Sequence, residues 1–140
     1  MKTKDLSYFR LTTTGGAKGF GENRKASGTF VLIAVCKDGT EVVGQRCTEQ
    51  YADLRTSNQA AYFALCQGLR YAKTLFARMG TKHKLVVHSN SQLMCSQLNG
   101  DAKVKSANLK ELYAVSKELI ETTGAELRWR THEEIATVGK

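Results

Sequence analysis

The sequence has no run of eighteen apolar residues and no charged-then-apolar leader at its start. It is therefore expected to be soluble and intracellular, without a spanning helix or a membrane partner. It has no CxxC pair: Cys36, Cys47, Cys66 and Cys95 are spread along the chain. That spacing argues against a zinc site or a disulfide framework and predicts free thiols in a reducing compartment. There is no internal repeat, linker or low-complexity tract, so residues 1–140 are expected to form one domain, long enough to bury most of the surface its unfolded form exposes. Acidic residues are scarce. The 13 Asp and Glu face 21 Lys and Arg, a net charge of +8, which favours polyanionic partners through phosphate neutralisation and counterion release.

What is present reads as alternating structure. Tyr8 to Thr14 is rich in aromatic and β-branched residues, and Thr29 to Cys36 is a near-continuous apolar run, as in a strand covered on both faces. Between them Gly15, Gly16, Gly19 and Gly21 predict a loop of tight turns, and Asp38-Gly39 predicts a hairpin into a third strand, Thr40 to Cys47. From Ser57 to Met79 apolar residues recur every three or four positions and stop before Gly80, the pattern of a long amphipathic helix. Lys84 to Ser89 reads as a buried strand, Ser91 to Leu98 and Asn108 to Thr122 as helices, and Ala125 to Arg130 as a last strand with Trp129 in the core. The fold class is α/β, a mixed sheet with helices packed on its faces.

Three segments then carry a resemblance over nearly the whole chain. TTTGGAKG at residues 12–19 is similar to a first-strand motif in which Asp precedes two small residues and a glycine loop. TSNQAAYFALCQGL at 56–69 is similar to the helix pattern TNNxAEYxALxxGL, and SNSQLMCSQLNGDAKVKSANLKELY at 89–113 to SDSQLVxxQLNGxYKVKNxNLxxLY. Together they resemble the ribonuclease H family, in particular the branch found in archaea, many bacteria and some retroelements. The resemblance implies a five-stranded mixed sheet, first three strands antiparallel, with helices on both faces and a final family helix that is short or absent here.

It also implies a chemistry. In that family four acidic residues hold two divalent ions that activate water and stabilise the leaving oxygen. The corresponding positions here are Thr14, Ala61, Asn90 and, at the end of the chain, Gly139, all neutral. The expectation is a catalytically inactive pseudoenzyme with no metal and no cofactor. Glu22, Glu133 and Glu134 are the candidates for a relocated ion site, which would make the chain an active nuclease.

The same resemblance supplies candidate contacts to nucleic acid. Thr56, Ser57 and Asn58 match positions that touch the backbone near the long helix, although Thr56 with Gln59 also fits a capping box, as does Ser89 with Gln92. Ser91, Gln92 and Asn99 match residues near the minor groove, where A-form and hybrid duplexes show their 2′-hydroxyls. Gly16 and Lys18 belong to the glycine loop, where backbone N–H groups and Lys18, Arg24 and Lys25 could hold phosphate. Lys103 and Lys105 lie in a segment that the family turns toward the duplex. His83 and His88 have no ligand spacing and are read as core or surface histidines.

The function expected from these residues is binding of RNA, double-stranded RNA or RNA/DNA hybrid without cleavage. The alternative is a protein-interaction or structural module, docked in a larger ribonucleoprotein or as a homodimer, with a flank left exposed around Cys66 and Cys95. Replacing about four negative charges with none forfeits Coulomb attraction worth several kcal/mol. Isothermal calorimetry should accordingly detect no saturable Mg²⁺ site, and a tight stoichiometric titration would contradict that.

Overall fold

The computed structural model describes residues 5–19, 25–51 and 56–138, with side chains as far as Ile135. Strands β1 (Leu6–Lys18), β2 (Lys25–Cys36) and β3 (Glu41–Tyr51) are followed by helix α1 (Ser57–Met79) and strand β4 (Leu85–Ser89). Helices α2 (Gln92–Leu98) and α3 (Ala107–Thr123), strand β5 (Glu126–Trp129) and helix α4 (His132–Val138) complete the order. The sheet runs β3-β2-β1-β4-β5. β1 and β2 pair antiparallel, as do β2 and β3, while β4 joins β1 and β5 in parallel. This is the expected five-stranded mixed sheet with an antiparallel opening meander.

Residue parity divides the sheet into two faces. Phe9 and Leu11 of β1, Phe30, Leu32 and Ala34 of β2, and Leu85 and Val87 of β4 meet Leu65, Leu69 and Phe76 of α1 in one core. Leu11, Leu32, Leu65, Leu69 and Leu85 are fully buried, each contributing roughly 1.5–3 kcal/mol relative to an exposed side chain. Helix α3 closes this core with Leu109 and Leu119, and α2 with Met94, Cys95 and Leu98. On the opposite face Val31, Ile33 and Val35 form a separate cluster with Tyr8.

Local chemistry sets the helix limits. Thr56 caps α1 through a reciprocal box with Gln59, and the helix ends where Gly80 takes φ +77°, a left-handed conformation that costs other residues energy. α3 stops in the same way at Gly124, φ +71°. The cap of α2 differs from the sequence expectation. Ser91, not Ser89, is its N-cap and accepts from the Met94 amide, while the Ser89 hydroxyl accepts from the Ser91 amide at 3.1 Å. The short helix α4, in which Ile135 is buried, was not among the elements read from periodicity.

The glycine segment is the main correction. Gly15, Gly16 and Lys18 are not in a loop: they continue β1, paired with Gly28, Ser27 and Lys25 of β2. Gly15 is needed for contact rather than for turning. A Cβ there would lie 2.4 Å from the Ala61 amide nitrogen, so only glycine lets α1 lie this close to the strand. Gly16 has nothing within 4 Å of its would-be Cβ, and of the expected turn glycines Gly19 has positive φ, while Phe20, Gly21, Glu22 and Arg24 lie outside the described residues.

Cys66 and Cys95 are both 2% exposed, so they mark core rather than an open flank. Burial raises both thiols, Cys95 to about 11. Among the described residues no helix is long and apolar enough to cross a membrane.

Replacing Gly15 with Ala should destabilise the fold by about 3 kcal/mol, the upper part of the usual range for overpacking, because its new methyl meets backbone that cannot swing aside. Gly16→Ala should change stability by less than about 1 kcal/mol. Urea denaturation of the pair checks this, and equal midpoints would show that the β1–α1 approach is not tight.

Candidate nucleic-acid interface

Three positions that the sequence motifs single out converge at one end of the sheet. Thr13 of β1 pairs with Ser89 of β4, so Thr14 and Asn90 are the next residues on neighbouring parallel strands. Gly15 presses on the backbone of Ala60 and Ala61, which brings the first turn of α1 to the same place. The carboxyl ends of parallel strands are a common location for ligand sites. Gly139, the fourth position, lies outside the described residues.

The donors there are neutral. Asn90 Oδ1 and Thr13 Oγ1 are buried without a hydrogen-bond partner, so oxygen lone pairs are available, but Ala61 offers only a methyl group. Among the described residues no three His, Cys, Asp or Glu side chains converge on a point. These side chains by themselves do not fit the pair of divalent ions that the sequence resemblance implies. Of the relocated-ligand candidates, Glu134 accepts from the Thr131 amide at 3.0 Å and caps α4 together with the Thr131 hydroxyl, which holds its carboxyl below the usual range. Glu133 is exposed beside it, and Glu22 lies outside the described residues.

The expected contact residues fall into two groups. Ser57 is exposed and Asn58 half-buried in the first turn of α1, one turn from Ala61, while the Thr56 hydroxyl is committed to the cap. Ser91 is likewise the cap of α2, and Gln92 beside it is exposed. Lys103 and Lys105 are exposed on either side of Val104, which packs on the core. A hydrogen-bond chain holds that segment: the buried Tyr62 hydroxyl donates to Gln97 Oε1 at 2.6 Å, and Gln97 Nε2 donates to the Lys103 carbonyl at 3.4 Å. Tyr62 adjoins Ala61, so the basic segment is tied to the helix that lines the site. Burial raises the Tyr62 phenol, keeping it a donor. Asn99 instead donates to the Leu127 carbonyl of β5 at 3.2 Å. Gly16 and Lys18 lie farther out, where the β1–β2 ribbon runs beyond the last rung with β4.

Several polar residues on the second face were missed by the sequence reading. Arg10 and Thr12 of β1 pair in register with Val86 and His88 of β4, and His88 with Arg128 of β5. Arg10 binds Glu41, and Arg128 binds Glu126 at 2.8 Å. Two-residue periodicity along β1 and β4 is the signal, but it becomes readable only once strand order is known. Trp129 is also misplaced by the sequence reading: it is 40% exposed, since β5 ends where the core ends.

His88 is held low, at about 4, first by burial and then by Arg130, Arg10 and Arg128, with Glu134 opposing. The unfolded chain takes up that proton near the ordinary 6.5, and the folded chain only near 4. The His88 contribution is therefore complete above pH 6.5 and is lost as pH falls toward 4. After discounting for partial exposure it amounts to about 2 kcal/mol. Thermal melts should show Tm falling over that interval, less steeply in His88→Asn; parallel profiles would refute the assignment.

Comparison with known proteins fits this geometry. No protein-family model matches the chain, and no curated protein matches its sequence. Its fold matches that of LC11-RNase H1 solved in complex with an RNA/DNA hybrid, with TM-score 0.73, 21% identity, and 92% of this chain and 89% of that one covered. The RNase H1 of Halobacterium salinarum matches with TM-score 0.66 at 22% identity, over 89% of this chain and 88% of that one. The N-terminal RNase H domain of a Mycobacterium tuberculosis protein matches with TM-score 0.68 at 20% identity, over 91% and 86%. These findings overturn the expectation of a pseudoenzyme. The chains that share the fold are named as ribonucleases H. Counting missing carboxylates does not decide the matter, because Mg²⁺ keeps several waters and takes ligands from substrate phosphates as well as from protein. Across about nine-tenths of its length this chain has the ribonuclease H fold.

Proposed function

We propose that this protein binds RNA/DNA hybrid or another A-form duplex across the end of the sheet where Thr14, Ala61 and Asn90 meet. The observation that carries the reading is the fold shared with LC11-RNase H1, a structure that contains an RNA/DNA hybrid. The residues on this surface suit such a ligand. Lys103 and Lys105 supply positive charge toward phosphates, and the net charge of +8 draws any duplex in. Ser57, Asn58 and Gln92 present uncommitted polar groups beside the cleft, suited to the sugar edges of a wide, shallow minor groove.

Fluorescence anisotropy with labelled hybrid, double-stranded RNA and double-stranded DNA tests this. Hybrid or double-stranded RNA should bind more tightly than DNA, with log K falling linearly as log salt rises. Replacing Lys103 and Lys105 with Ala should weaken binding to every duplex and reduce the salt slope by roughly 2, about one for each phosphate contact. Failure to bind any duplex at low salt would end the reading. Adding Mg²⁺ or Mn²⁺ to the same samples and resolving the products reads cleavage separately.

A further inference from the structure

The chain has a single tryptophan, and its position is unusual for so large a ring. Leu127, two residues earlier and on the same face of β5, is 7% exposed in the core, whereas Trp129 is 40% exposed. Trp129 ends the strand opposite Ser89, and the amide of the next residue, Arg130, donates to the Ser89 carbonyl at 2.9 Å. The backbone that bears the ring is thus fastened to the end of β4, one residue from Asn90. Arg128 and Arg130 flank it in sequence, and Leu93, in the first turn of α2, is a second exposed apolar side chain at this end of the molecule, 44% exposed.

A protein partner is a poor occupant. Two apolar side chains fall far short of the roughly 1,000 Å² that a specific protein interface covers. An unpaired nucleobase fits better. Its face matches an indole, and stacking tolerates any base. We propose that Trp129 is a stacking platform for an unpaired base at the edge of the duplex cleft, so that the chain prefers a duplex with a single-stranded extension. This inference rests on the duplex-binding reading above.

Because Trp129 is the only tryptophan, its emission reports on this site alone. The full-length chain is titrated with blunt RNA/DNA hybrid and with the same hybrid bearing a short RNA overhang, while affinity is followed independently by anisotropy of a label on the duplex. The overhang hybrid should bind about tenfold more tightly and quench Trp129, whereas the blunt hybrid should quench it little. In Trp129→Ala the gap between the two substrates should close, and Trp129→Phe, which keeps an aromatic face, should retain part of it. Circular dichroism checks that both variants are folded. If Trp129→Ala does not fold, the wild-type quench and the Trp129→Phe affinities decide. Should both hybrids bind equally, or the overhang bind more tightly with Trp129 emission unchanged, the stacking site is refuted while duplex binding stands. Should neither hybrid bind at low salt, both readings fail.

Discussion

The approach of α1 to β1 at Gly15 is the constraint on which the candidate site depends. A side chain there would have to occupy the space of the Ala61 backbone, so the absence of one lets a helix turn and a strand touch directly. Two consequences follow from that contact. The motif positions Thr14 and Ala61, 47 residues apart in sequence, become neighbours, and the parallel pairing of β1 with β4 adds Asn90 to them. The same approach carries the long apolar stripe of α1 onto the sheet, where Gly68 performs a similar service against Leu11. Packing and site geometry therefore share one cause.

Outward from that contact the structure is organised by buried and part-buried polar links rather than by surface ion pairs. Tyr62, Gln97 and the Lys103 carbonyl form one line, and Asn99 with the Leu127 carbonyl forms another. Lys117 Nζ donates to the Leu98 carbonyl at 3.0 Å, which secures the end of α2 from the α3 side. Breaking a buried bond of this kind leaves a desolvated group unpaired, a larger cost than the modest net gain of forming it. The segment holding Lys103 and Lys105 is consequently placed by the core although its charges face water. Exposed pairs such as Arg128 with Glu126 contribute little to stability.

Charge and shape cooperate in the functional reading. A cleft of neutral side chains does not repel phosphate, and the net charge of +8 favours a polyanion. The fold is the one found in ribonucleases H.

Much of this architecture was legible in the sequence. The Ser57–Met79 helix, its Thr56 cap and its Gly80 stop rest on local chemistry: a hydroxyl meeting amides within one turn, a 3.6-residue apolar period, and a residue free to take positive φ. The apolar run of β2 and the Asp38-Gly39 hairpin were equally local. The three motif segments also named Thr14, Ala61 and Asn90 as positions that belong together. What escaped was whatever depends on neighbours distant in the chain. Gly15 and Gly16 read as loop because glycine is permissive, yet pairing with Gly28 and Ser27 keeps them in a strand. Trp129 read as core because it is large and apolar, yet β5 ends before anything covers it. His88 read as an ordinary histidine, yet Arg10, Arg128 and Arg130 arrive beside it from two other strands and the chain beyond β5. Local periodicity and capping thus determined the elements, whereas strand order and the β1–α1 contact decided which side chains share a face, because burial and electrostatics act through space and not along the chain.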